Sequence, residues 1–388
     1  MIYKLGDLLE IVYEKNTDLK FGLDDIVGVT IEKELIPTKA NLSETKLDNF
    51  IIVKPNDFIY NPRTHGKKIG LGFNNTNNTF ISSWNNNTFR VKPSMLEVIN
   101  PNYLYLYFCR DIWNKEACFN SWGSSTVVLL WENFCNMNIK LPSIEKQKEI
   151  VESFNIIIKR IELLNEINNN LEKLLGYIYK QNIENNEEEF EEKQLIDIAT
   201  MQNGYSYSSE ELTASNIAMA TIKNFEKGGG FRTSGYKEVL PIKKIKDELK
   251  LKKFDIIVAH TDLTPSAEIL GNVELVYDLA NYKEVIPSMD LVKISSKNEN
   301  FDNKLLYVFL KYSGFKNIAL QHKNGTTVLH LEKDALKKYS LLVPKKSEKL
   351  KEMENKIIPI INLISLNISE IRELESIKNS FISIFSRG

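Results

Sequence analysis

The sequence is short of the features that would place it in several common classes. It has only three cysteines, Cys109, Cys118 and Cys135, an odd number at spacings that suit neither a zinc site nor a disulfide framework. They read as ordinary thiols. No apolar run approaches the ~20 residues a membrane span requires, and the first residues, MIYKLGDLLEIVYEKN, carry acids and no small-residue cleavage site. A cytoplasmic protein without membrane association is expected. Catalytic signatures are missing as well. Gly66-Lys67-Lys68 lacks the upstream glycine and the following hydroxyl of a nucleotide-phosphate loop, and Asn61-Pro62-Arg63 is a poor match to the Asn/Asp-Pro-Pro-aromatic motif of amino-methyltransferases. The four histidines, His65, His260, His322 and His330, do not fall at metal or triad spacing. Asp57 and Asp255 occupy equivalent places in two halves, and an aspartate that opens a strand after a turn is a structural residue. Binding without chemistry is the expectation, with no catalytic, cofactor or metal residue in this chain.

Excess charge is missing too. The net charge of −1 speaks against a uniformly basic, phosphate-binding protein. That total averages unlike parts: residues 1–142 are neutral, 143–192 carry −6, 193–344 carry +3 and 345–388 carry +2. Half the acids of the second segment lie in the run Glu184 to Glu192, read as a solvated stretch where a helix frays and a second globular region starts.

Two long helices stand out among what is present. Ile150, Phe154, Ile157, Ile161, Leu164, Leu171, Leu175 and Ile178 form a 4,3 ladder from about Ser143 to Asn182, with Asn168 at the one remaining seam position. At ~1.5 Å per residue this helix spans roughly 60 Å. Its expected partner is the C-terminal stretch Met353, Ile357, Ile360, Ile364, Ile371, Leu374 and Phe381, with Asn367 and Lys378 as polar members. Pro359 should kink that helix near its start. Asn168 and Asn367 are candidates for fixing register.

The chain also repeats itself. Gly123-Ser124-Ser125-Thr126-Val127 and Gly325-Thr326-Thr327-Val328-Leu329 each lie nineteen residues before a proline, Pro142 and Pro344, after which a long helix begins. Tyr103 to Phe108 aligns with Leu305 to Leu310 at an offset of 202, Asp57 with Asp255 at 198, and Leu5-Gly6-Asp7-Leu8 with Leu195 to Ile198 at 190. A drifting offset with anchored ends is the mark of loop insertions between two homologous halves. Short β-branched and aromatic runs predict strands at 50–53, 58–60, 88–91, 256–258 and 291–294, and helices are expected at about 101–119 and 303–321. The Asn-rich stretch 74–87 and Gly228 to Gly230 read as loops.

Leu141-Pro142-Ser143-Ile144-Glu145-Lys146-Gln147-Lys148-Glu149-Ile150-Val151 resembles the LPPLEEQKxIV segment that opens the long helices of type I restriction-modification specificity subunits. The Gly-Ser/Thr motif nineteen residues earlier belongs to the same pattern, as do Asp57 to Pro62 followed by Gly70, and Ile81-Ser82-Ser83. Lys146 departs from a usual Glu. The second helix opens Val343-Pro344-Lys345-Lys346-Ser347-Glu348-Lys349, keeping the proline and losing the Glu-Gln pair. Physically, Ser143 can cap the first turn and Glu145 favours the helix dipole, and Ser347 and Glu348 are placed to do the same.

The resemblance implies an α+β fold: two homologous mixed α/β target-recognition domains joined by two long helices that pair as an antiparallel coiled coil. The segments would be 1–142 (first recognition domain), 143–182 (central helix), 183–344 (second recognition domain) and 345–388 (C-terminal helix). It further implies a subunit that reads a bipartite sequence in double-stranded DNA, one domain per half-site, with the helices as spacer. Its expected partners are two methyltransferase subunits and restriction/translocase subunits, which would carry S-adenosylmethionine, ATP and Mg. A specificity subunit for a fused methyltransferase-nuclease is the alternative. An enzyme with disguised motifs, or a coiled-coil adaptor without a DNA role, explains less of the duplication.

Phosphates call for Lys, Arg and hydroxyls, and base edges for Arg, Asn, Gln or Lys of the right reach. Candidate loops of the first half hold Asn61, Arg63, His65, Lys67 and Lys68, then Trp84 and Asn85, then Asn120, Trp122, Ser124 and Ser125. Those of the second half hold Gln202, Tyr205 and Tyr207, then His260 and Thr261, then Lys323, Asn324, Thr326 and Thr327.

Overall fold

The computed structural model describes the whole chain except residues 39–41, 43, 66, 67, 124–126, 186, 227, 263–265, 299, 300, 326–328, 333 and 385–388. The chain divides into two compact units, Met1–Arg160 with Ser376–Gly388, and Ile161–Glu375. No helix among the described residues is long and apolar enough to cross a membrane.

The first unit is built on a four-stranded antiparallel sheet in the order Leu9–Ile11, Asn87–Val91, Phe58–His65, Lys68–Phe73. Period-two alternation sends Phe58 and Tyr60 to one face, where they pack with Phe89, Phe108, Trp113 and Phe134. Ile59 goes to the other face and meets Val27 and Val53. Phe58 lies 4.4 Å from Phe73 and Tyr60 lies 5.0 Å from Phe134, ring centre to ring centre, so aromatic stacking carries much of this core. The expected helix at 101–119 is two helices, Pro101–Phe108 and Asp111–Phe119, because Arg110 between them is extended. The Asn-rich stretch is not all loop either: Phe80–Ser82 pairs with Ile51–Val53.

The second unit repeats the plan. A short helix, Leu195–Ile198 in place of Leu5–Leu8, leads into an antiparallel sheet of order Ala199–Asn203, Leu291–Ser296, Ile256–Ala259, Val273–Leu275. In each half the strand that pairs second carries the cation for the structural aspartate: Arg90 pairs with Asp57 at 2.9 Å, and Lys293 with Asp255 at 2.8 Å. The residue before each aspartate, Asn56 or Phe254, has φ 69°, the left-handed turn that lets the carboxylate accept the amide of Lys54 or Lys252. Asp57 and Asp255 are therefore turn-locking residues. The helix expected at 303–321 is likewise split, into Asn303–Tyr312 and Phe315–Gln321, by Gly314 with φ 88°.

The central helix runs Ile144–Asn185 and the C-terminal helix Ser347–Ile384, the latter continuing through Pro359. Ser143 caps the central helix by accepting the amide of Lys146 at 3.3 Å, whereas Ser347 lies inside the first turn of its helix instead of capping it. The acidic run is more ordered than a fraying end, since Phe190–Gln194 forms a strand against Ser340–Pro344 and Glu189 pairs with Lys349. Every predicted seam residue of the central helix is buried or half-buried. Within the second unit Asn367 donates to the Asn168 side chain at 2.8 Å, so the two polar seam residues meet each other. Within the first unit Phe154 meets Phe381, 6.1 Å between ring centres. Both contacts fit an antiparallel pair. On the C-terminal helix Ile361 is buried more deeply than the predicted Ile360, because that helix also packs into the core of the second unit.

Candidate nucleic-acid interface

In the first half the strand Phe58–His65 shifts register against Lys68–Phe73 between Tyr60 and Thr64, and there it also pairs with a further segment. Arg63 bridges Val128, and Val128 bridges Trp122. Thr64 N donates to Val127 O and Leu129 N to Pro62 O, which ties the Asn61–Lys68 and Asn120–Ser125 regions into one patch. The second half repeats this as a three-stranded sheet: Thr261–Asp262, then Leu329–Leu331, then Lys323–Asn324. Arg63, Val128 and Trp122 correspond to Thr261, His330 and Asn324. The duplication thus includes the patch as well as the scaffold. Gly123 (φ 145°) and Gly325 (φ 107°) open the two Gly-Ser/Thr motifs in conformations that exclude most side chains.

Within the first half Arg63 is exposed, and Asn61 accepts its amide at 2.9 Å, a turn-like contact that orients the strand end. His65 closes the strand opposite Lys68. Trp84 and Asn85 form the turn that leads into Asn87, which pairs with Tyr60, so they lie at the same sheet end as Arg63. Trp84 is 63% and Trp122 73% exposed; large indoles left this bare are available to stack or wedge. Asn120 is committed locally, donating to Glu116 O at 2.9 Å at the end of its helix. Lys67, Ser124, Ser125, Thr326 and Thr327 lie outside the described residues.

In the second half Lys323 and Asn324 are exposed, and Asn324 shares Glu332 with His322. His260 is half-buried on the strand edge, its ring 6.4 Å from that of His330. Gln202 and Tyr207 are half-buried. Two expectations are corrected. Thr261 is buried with its hydroxyl donating to Asp290 at 2.8 Å, and Tyr205 is buried with its hydroxyl donating to Glu211 at 2.5 Å. Side chains already paired inside the core cannot reach a groove.

What Tyr205 does instead exposes a region the sequence reading passed over. Glu211 accepts hydrogen bonds from Tyr205, the Ile242 amide and the Ser208 amide, which together hold its carboxyl down to about 2. The Lys243 amide adds a contact to the Tyr205 hydroxyl at 3.3 Å. This buried hub pins the exposed loop that carries Lys243, Lys244 and Lys246. Tyr205 also pairs with Ser288, two residues before the Asp290 that holds Thr261, so the lysine loop continues from the patch. The alternation Lys-Lys-Ile-Lys was its only sequence signal. His330, exposed at the centre of its small sheet, was likewise missed; its equivalence to Val128 at the 202 offset would have marked it.

No group of three or more His, Cys, Asp or Glu suited to a metal occurs among the described residues. The chain thus consists of two duplicated α/β domains, each with a strand-end patch and each followed by a long helix. The chain belongs to the family described as type I restriction modification DNA specificity domain, whose sequence model matches residues 1–173 and again 187–376. It is 24% identical over 309 residues to the type I restriction enzyme MjaVIII specificity subunit of Methanocaldococcus jannaschii, an alignment covering 74% of this chain and 69% of that protein. Its fold matches the crystal structure of the type I restriction-modification system S subunit from M. genitalium with a TM-score of 0.54 at 13% identity, covering 98% of this chain and 94% of that one.

Proposed function

We propose that this chain is the DNA-recognition subunit of a type I restriction-modification complex and that it reads a split target, each half-site through one duplicated patch. The single observation that carries this reading is the repetition of the strand-end patch itself, Arg63 with Trp122 in one half and Lys323, Asn324 and His330 in the other. The residues at the two patches differ while their backbone pairing is the same, which is what reading two unlike half-sites demands. Phosphate contacts fall to Arg63, Lys67, Lys68, Lys323 and the Lys243–Lys246 loop, and base-edge or stacking contacts to Trp84, Asn85, Trp122 and Asn324.

The paired helices act as the spacer, and their outer faces are the docking surface for methyltransferase subunits. Leu163, Ile167 and Leu174 on the central helix and Leu363 and Leu366 on the C-terminal helix are exposed apolar residues at helical spacing, a poor choice for a face meant to stay in water. The chain supplies no chemistry. S-adenosylmethionine, ATP and Mg belong to the partner subunits, which methylate and cleave.

The test is the N6-methyladenine pattern of the host genome, read by single-molecule sequencing with and without this reading frame. Loss of methylation at one split motif in the deletion strain is the expected result. An unchanged pattern in a strain that expresses the intact complex would remove the reading.

A further inference from the structure

The second recognition domain holds the central helix through a buried ionic cluster. Glu172 projects from that helix and accepts hydrogen bonds from Tyr277 at 3.1 Å, Tyr307 at 3.0 Å and Tyr312 at 2.7 Å. Lys311 lies 3.1 Å from Glu172 and 3.1 Å from Glu274, and donates to Tyr307 at 2.6 Å. Glu274, almost fully buried, also accepts the Gly230 amide at 2.8 Å. Burial opposes the Lys311 charge, but the two carboxylates outweigh it and its affinity for the proton is raised. The helix is shaped for the contact, since a Cβ on Gly176 would stand 2.9 Å from the Tyr312 ring. On the other side Ser365 donates to Tyr277 O and Arg372 pairs with Asp278, so the same loop also grips the C-terminal helix. A cavity of about 880 Å³ opens beside the cluster.

The sequence of the first half does not repeat these residues. At the 202 offset Lys311, Tyr312, Glu274 and Glu172 become Cys109, Arg110, Gly72 and Leu374, and Leu35 covers the Gly72 position. Burying three charges is a costly way to gain stability and an effective way to select one geometry, because each bond is directional and a stranded partner is expensive.

We infer that Glu172, clamped by Lys311 and Tyr312, is a positioning residue that sets the mounting angle of the second recognition domain on the central helix, and so the gap between half-sites that the protein accepts. This rests on the split-target reading above. A domain free to rock on its helix would reach half-sites one base pair nearer or farther, while its own base contacts stayed the same.

The experiment uses the full chain assembled with its methyltransferase subunits and measures methyl transfer to duplexes carrying the native half-sites at the native gap and at one base pair more or less. Wild type should discriminate strongly against the altered gaps. Glu172→Gln and Tyr312→Phe should each narrow that discrimination by roughly tenfold, an effect on the scale of small misplacements of reacting groups, with base preference in both half-sites unchanged. Tyr312→Phe removes one hydroxyl and keeps the ring, so it reports even if Glu172→Gln fails to assemble. Wild-type gap discrimination in both variants, whether activity falls uniformly or not at all, overturns the positioning role. A wild-type complex that accepts all three gaps equally overturns the spacer reading, and the inference with it.

Discussion

Gln147 shows how one side chain joins a helix to its domain. It is fully buried, accepts the amide of Asn100 at 2.9 Å, and donates to Val98 O at 2.9 Å and Pro142 O at 3.0 Å. At the equivalent place in the second half stands Lys349, which pairs with Glu189 at 3.2 Å. An ion pair therefore takes the place of the glutamine at the same joint. Lys33 is the other residue with a measurable signature. It is buried, donates to Asn114 at 2.6 Å and Ile69 O at 2.5 Å, and sits 4.7 Å from the centre of the Trp113 ring. Burial lowers its value from 10.5 to about 8. Between those two values the unfolded chain binds more protons than the folded one, so this residue makes stability rise with pH across that window, by up to about 3 kcal/mol. Below about pH 8 its charged form is a standing cost. In urea titrations followed by tryptophan fluorescence, wild type minus Lys33→Met should slope upward from pH 8 to 10.5; a flat difference would show that Lys33 is not buried as described.

Among the described residues the helices carry two apolar stripes each, and one of the two is packed into a core. The inner stripe packs Leu175, Met353, Ile357 and Ile364 into the second core. The outer one, with Leu163, Ile167 and Leu174, faces solvent. Lysine has nearly the helix propensity of leucine, so Leu163→Lys with Ile167→Lys should change stability by no more than about 0.5 kcal/mol per site. The same double variant should lose co-purification with the methyltransferase subunit. A complex of unaltered yield would move the docking surface elsewhere.

A net charge of −1 reconciles with DNA binding once charge is seen locally. The net excess of acid lies in residues 143–192, whereas Arg63, Lys68 and Lys323 stand in the strand-end patches and Lys243, Lys244 and Lys246 on an exposed loop. Reversing Arg63 and Lys67 together should weaken binding by the assembled complex while leaving assembly intact. The slope of log affinity against log salt should then become shallower by about 0.9 for each phosphate that is no longer neutralised. Gel-shift titrations at several salt concentrations measure this, and an unchanged slope would take the Asn61–Lys68 region out of the interface.

The sequence by itself determined the duplication, the two long helices, the seam with Asn168 and Asn367, and the family. Each depends on periodicity or local motif, and these survive in one dimension because helix and strand spacing are short-range properties. Tertiary structure decided the rest. That Arg63 and Trp122 share a patch follows from pairing through Val128, a contact between segments some sixty residues apart. That Tyr205 and Thr261 are spent inside the core, and that Glu172, Glu274 and Lys311 meet around three tyrosines, depends on chain segments brought together from far apart. Burial and hydrogen-bond partners are properties of such meetings, and no spacing along the chain encodes them.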